Sequence, residues 1–117
     1  MWASRSSSDF LLPDAPPTPP VPTAQTYSSG PGTGTITFSA PLDTSITLDP
    51  ADWFRGLGSF RRPVVTMSYS SATVIAINSM GSNAGIDTPN GWKYVPGSNP
   101  IKGANGATVA AFEGFTG

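Results

Sequence analysis

The chain of 117 residues contains no cysteine and no histidine. Without cysteine there is neither a disulfide framework nor a thiolate metal site. Without histidine as well, Ser-His and Cys-His nucleophile systems, the commonest general base and the usual zinc and copper ligands are all excluded. Charge is scarce: six Lys and Arg stand against seven Asp and Glu, a formal net charge of -1. The adjacent pair Arg61-Arg62, with Arg55 nearby, is no basic stripe, so no nucleic acid is expected as a partner. Those three arginines could meet an acidic partner, but the simpler reading is a solvated loop. No apolar run approaches the ~20 residues of a spanning helix, so no membrane span is expected. Nor does the N-terminus read as a signal peptide. Its apolar cluster, Phe10-Leu11-Leu12, is shorter than an h-region of ~7–15 residues. The chain is therefore expected to stay where it is made until it assembles or the cell lyses.

What the chain has in quantity is proline and glycine, thirteen of each. Six prolines fall between Pro13 and Pro22, whereas the glycines begin at Gly30. This divides the chain into an extended arm, residues 1–30, and a body, residues 31–117. In the arm, Pro13, Pro16, Pro17, Pro19, Pro20 and Pro22 fix φ, remove backbone donors and favour polyproline II. Flanking serines read as linker. Trp2 and Phe10-Leu11-Leu12 are apolar anchors on this stiffened chain. Trp2, Phe10, Leu11, Leu12, Pro16, Pro17, Pro19 and Pro20 are accordingly the candidate partner-binding residues.

The body reads as all-β. Residues 35–39 alternate, placing Ile36 and Phe38 on one face. Residues 64–69 and 73–77 are rich in β-branched side chains and predict a hairpin. Residues 92–95 follow the turn Thr88-Pro89-Asn90-Gly91, and residues 107–112 follow Asn105-Gly106. Pro41 and Pro63 are expected at strand ends, and residues 81–91 as a long surface loop. The one helical signal is a single turn. Asp49 is its N-cap and Pro50 its first residue, Asp52 favours the helix dipole, and Trp53 or Phe54 is carried inward. The expected core is Ile36, Phe38, Leu42, Leu48, Trp53, Val65, Met67, Ile75, Ile77, Trp92, Val109 and Phe112. Short strands at near-regular spacing favour a small immunoglobulin-like β-sandwich over a barrel.

The run TITFSAPLDTSITLDPADW, residues 35–53, resembles the opening of bacterial Ig-like domains of the S-layer type. There a strand ending in T-F-S precedes x-P-[LV]-D and a D-P-x-[DN]-[WF] turn. The stretch from Tyr94-Val95-Pro96 through Asn105-Gly106 to Val109-Ala110-Ala111-Phe112 resembles the end of related modules in phage and bacterial surface proteins. The resemblance implies a sandwich used in adhesion or assembly and supplies no catalytic residue.

Among groups capable of chemistry, Asp43, Asp49 and Asp52 are the closest carboxylates in sequence. A glycosidase needs such a pair, but a turn accounts for Asp43 and helix capping for the other two. Calcium would be the least unsuitable metal, yet Asp87 stands alone among Asn83, Thr88 and Asn90. The Gly30-Pro31-Gly32-Thr33-Gly34 run lacks the lysine of a phosphate loop. Trp92 and Tyr94 share a strand face and would stack on a sugar if exposed, or pack in the core if not. No cofactor and no catalytic role are expected.

The expected function is a non-enzymatic minor structural protein of a virus particle, capsid- or tail-associated in a phage and assembled in the host cytoplasm. Its arm would clamp major capsid or other virion subunits in many copies. The competing expectation is an Ig-like adhesion or glycan-binding module of a bacterial surface protein, which requires Trp92 and Tyr94 to be exposed.

Overall fold

A computed structural model describes residues 17–28, 32–57, 60–81 and 91–116, with residues 56–57 and 60–61 as backbone only. Seven strands follow in order: β1 (Pro22–Ser28), β2 (Thr33–Phe38), β3 (Trp53–Leu57), β4 (Phe60–Tyr69), β5 (Val74–Met80), β6 (Trp92–Tyr94) and β7 (Phe112–Phe115). A single 3₁₀ turn, Pro50–Asp52, precedes β3. It forms as its sequence dictates: the Asp49 carboxylate accepts from the Ala51 amide at 3.0 Å, and Pro50 needs no donor there. The turn delivers Trp53 into the interior at 0% exposure.

The strands make one antiparallel sheet in the order β1-β2-β5-β4-β3-β6-β7. It curls through 274°, a nearly closed barrel. This corrects the expected Ig-like sandwich and, with it, the S-layer-type resemblance. A sandwich needs two separate sheets. Here β4 belongs to both halves, because its residues 60–63 pair with β3 while residues 64–69 pair with β5. One long staggered strand therefore carries the ladder round the corner.

The alternating strands turn one face inward: Ile36 and Phe38 from β2, Ile75 and Ile77 from β5, Trp92 and Tyr94 from β6. Trp53 stacks on Tyr94 with ring centroids 4.4 Å apart, and Phe112 meets both rings. Ile101 and Val109 close one end, joined by a Val109 amide bond to the Ile101 carbonyl at 3.0 Å. Two core expectations shift. Val65 is 52% exposed while Val64 is buried. The register slips between Val64 and Thr66, and such a bulge reverses the side that neighbouring residues face. Residues 107–111 provide only an isolated bridge, Thr108 with Lys102, and the last strand begins at Phe112.

Pro63 sits within β4, where a strand end was expected. Gly81 donates to the Pro63 carbonyl at 2.8 Å, so a residue with an amide here would return a bond to the Gly81 carbonyl. Proline cannot. Arg62 Nε takes that acceptor instead, at 2.8 Å. Gly34 faces another constraint, since a Cβ there would stand 2.5 Å from the Trp92 ring.

Residues 22–28, expected within the arm, form β1, and the preceding residues are fastened to the barrel. Val21 donates to Ser39 Oγ and accepts from the Ser39 amide. Pro20 is fully buried against Gly103, and Asn105 Nδ2 donates to the Thr18 carbonyl at 2.9 Å.

Candidate functional site

At one end of the barrel interior, β1, β3, β4 and β6 bring five polar or aromatic side chains together. Strand alternation inward from Trp53 places Arg55 inside, and it is only 5% exposed. Its guanidinium lies 3.9 Å from the Tyr27 ring centroid and 4.9 Å from that of Trp92, both within cation–π reach. Tyr27 meets Trp92 edge to face at 5.7 Å. Arg62 Nη1 donates to the Tyr27 hydroxyl at 3.1 Å. The Gln25 side-chain oxygen accepts from both Arg55 Nη1 and Trp92 Nε1, each at 3.0 Å. Its nitrogen donates to the Thr116 carbonyl at 3.0 Å, across the gap between the edge strands β1 and β7. That partner set admits only one orientation of the carboxamide. The arginine pair was expected in a solvated loop, but Arg55 and Arg62 lie on strands within this cluster. The period-two spacing from Trp53 to Arg55 is the signal that would have found the first.

The other candidate groups serve the fold. Asp43 accepts from the Ser45 hydroxyl and amide, which hold its carboxyl below its ordinary value. Asp49 caps the 3₁₀ turn, and buried Asp52 accepts from the Gly97 amide at 2.9 Å. Among the described residues no three carboxylates gather to hold a metal ion. Asn83, Asp87, Thr88 and Asn90 lie outside the described residues. Trp92 and Tyr94 are 0% and 1% exposed, so they offer no sugar-stacking platform. Burial, chiefly, pushes the Tyr94 phenol above its ordinary value, and its hydroxyl accepts from the Ile101 amide at 2.9 Å. An open groove of about 270 Å³ runs between the 44–48 loop and Met67, Ser68 and Tyr69. No charged side chain lines it, and the Tyr69 hydroxyl is occupied with the Ile46 carbonyl at 2.8 Å.

Of the partner-binding candidates, Trp2, Phe10, Leu11, Leu12 and Pro16 lie outside the described residues. Pro17 is exposed and Pro19 half-buried, whereas Pro20 is spent on the chain's own core. Among the described residues no helix is long and apolar enough to cross a membrane. No protein-family model matches the chain, and neither a curated protein nor a solved structure matches it.

Proposed function

We propose that this protein is a non-enzymatic structural subunit of a virus particle, of the phage capsid- or tail-associated kind, which holds neighbouring subunits through the segment preceding Thr18. The observation that carries this reading is the fixed root of that segment. Pro20 is locked beneath Gly103 and Thr18 is held by Asn105, so the arm leaves a rigid body from a defined point. A tether fixed in this way limits the volume its anchors search, which raises their effective concentration at a neighbouring groove. Proline stiffening lowers the entropy lost when the arm docks. The internal use of Asp43, Asp49, Asp52, Trp92 and Tyr94 also supports a structural role over catalysis or sugar binding.

The test is a chain lacking residues 1–16, compared with the full chain for co-sedimentation with particles. The truncation stops there because removing residues 22–27 would take out most of a barrel strand. The shortened chain is expected to keep the cooperative melt of the parent and to lose co-sedimentation. Equal recovery of both chains in the particle fraction would defeat the clamp, and a full chain that never sediments with particles would defeat the virion setting.

A further inference from the structure

The barrel is open between β1 and β7, and the opening has the dimensions of one missing strand. Seven strands are six steps apart and cover 274°. Each step is thus about 46°, and the gap of about 86° is close to two steps, the space left when one strand is absent from a closed barrel. Direction gives the same answer independently. All six neighbouring pairs are antiparallel, so β1 and β7 run the same way and cannot close antiparallel on each other. A strand between them would be antiparallel to both.

The walls of the gap match this. Residues far from it, such as Trp53, Ile36 and Ile75, are 0% exposed. The aromatics on its two edges, Tyr27 on one side and Phe112 and Phe115 on the other, are only partly buried against the same core. Gln25 reaches Thr116 across the gap, but its carboxamide oxygen is held by Trp92 and Arg55 of the interior, so the bridge passes beneath the strand edges. Among the described residues, no main-chain ladder occupies the outer edge of either strand.

We propose that this gap is a strand-acceptor site filled by residues 6–12 of a second copy of this chain, which completes an eight-stranded antiparallel barrel. The proposal deepens the assembly reading and rests on it. Residues 6–12 are seven in number, as many as β1, and Pro13 stops the pairing because it has no amide. Strand alternation then sends Phe10 and Leu12 inward toward Tyr27, Phe112 and Phe115, with Leu11 outward. The donor is another copy because of where the chain's own root leads. Going backwards from Pro22, the chain is pinned at Asn105, whose neighbour Ala104 donates to the Pro41 carbonyl. Leu42 donates in turn to the Ala72 carbonyl. The root therefore leaves on the β2 and β5 side, away from the gap. Addition of an extended segment to free sheet edges supplies main-chain bonds for affinity and side-chain pockets for specificity.

The absence of native cysteine makes the test direct. Leu11→Cys and Thr26→Cys are placed on separate, differently tagged chains, mixed, and treated with a short bismaleimide. The expected product is a mixed-tag dimer, with residues 11 and 26 joined in its mass-spectrometric fragments. A Ser71→Cys acceptor, on the turn between β4 and β5, should give none. The double variant Phe10→Asp with Leu12→Asp should return the full chain to a monomer in light scattering without altering its melt. Equal yield at positions 26 and 71, joining only within one chain, or a wild-type monomer at hundreds of micromolar would each overturn the proposal. None of these outcomes bears on co-sedimentation with particles, so the assembly reading is judged separately.

Discussion

Gln25 lies in a stretch, Pro22–Ser28, whose composition reads as linker. No apolar alternation marks it, because the side chains it turns inward are Gln25 and Tyr27. That is why β1 was not legible: its inward face is satisfied by hydrogen bonds and ring contacts instead of apolar burial. One carboxamide there accepts from Arg55 and Trp92 and donates to Thr116. Gln25→Ala leaves the buried indole N–H without its partner and cuts the bridge across the gap. A buried donor left unsatisfied costs about 1–3 kcal/mol, and a loss of about 2 kcal/mol is expected in urea unfolding. Gln25→Glu keeps an oxygen for Trp92 and Arg55 and loses only the donor to Thr116, so its loss should be smaller than that of alanine. If Gln25→Ala unfolds at the urea midpoint of the parent, the bridge contributes nothing.

At the scale of elements, β2, β5 and β6 were legible because each buries alternate large apolar residues, and the 49–52 turn because capping chemistry is local. Two strands were obscured. Gly56 and Gly58 read as the end of a helical turn, hiding β3, and Pro63 read as a strand boundary, shortening β4. The structure keeps Pro63 inside β4 by lending Arg62 Nε to the Gly81 carbonyl. This makes a coupled prediction. Arg62→Met should destabilise the parent by about 1–2 kcal/mol, since the Gly81 acceptor and the Tyr27 hydroxyl lose a charged donor. With Pro63→Ala the restored amide can serve Gly81 itself, so the same Arg62→Met change should cost less in that background. A double-mutant cycle reads the difference. A coupling energy of zero would mean that arginine does not replace the proline's missing bond.

Over the whole molecule, alternation locates strands but not their neighbours. β2 lies beside β5 and β3 beside β6, pairings set by contacts distant in sequence, so a single curled sheet and two stacked sheets present the same local pattern. The global response to pH is more directly derivable. A chain without histidine has no side chain that ordinarily titrates between pH 5 and 8. Its limits lie further out. On the acid side, hydrogen bonds from Ser45, helped by Lys102, lower the Asp43 value. Their contribution is present above the ordinary carboxylate range and lost as pH falls through the lowered value. This group is exposed, so the acid limb should be shallow. On the alkaline side, burial first, and nearby Asp43 and Tyr94, raise Tyr69. For Tyr94, burial and Asp52 outweigh the opposing Ile101 bond. The folded state thus holds both phenols neutral where the unfolded chain would ionise them. That stabilisation is complete below about pH 10, the ordinary tyrosine value, and is lost as pH rises through the raised ones. The melting temperature should therefore stay level from pH 5 to about 9 and fall above 10, with phenolate absorbance growing as the barrel unfolds. Tyr69→Phe and Tyr94→Phe should each flatten the alkaline fall. Tyr94→Phe should also lower the plateau by about 1 kcal/mol, because the Ile101 amide loses its acceptor. An alkaline limb unchanged in both variants would show that the lysines and arginines, and not the buried phenols, set the upper pH limit of the fold.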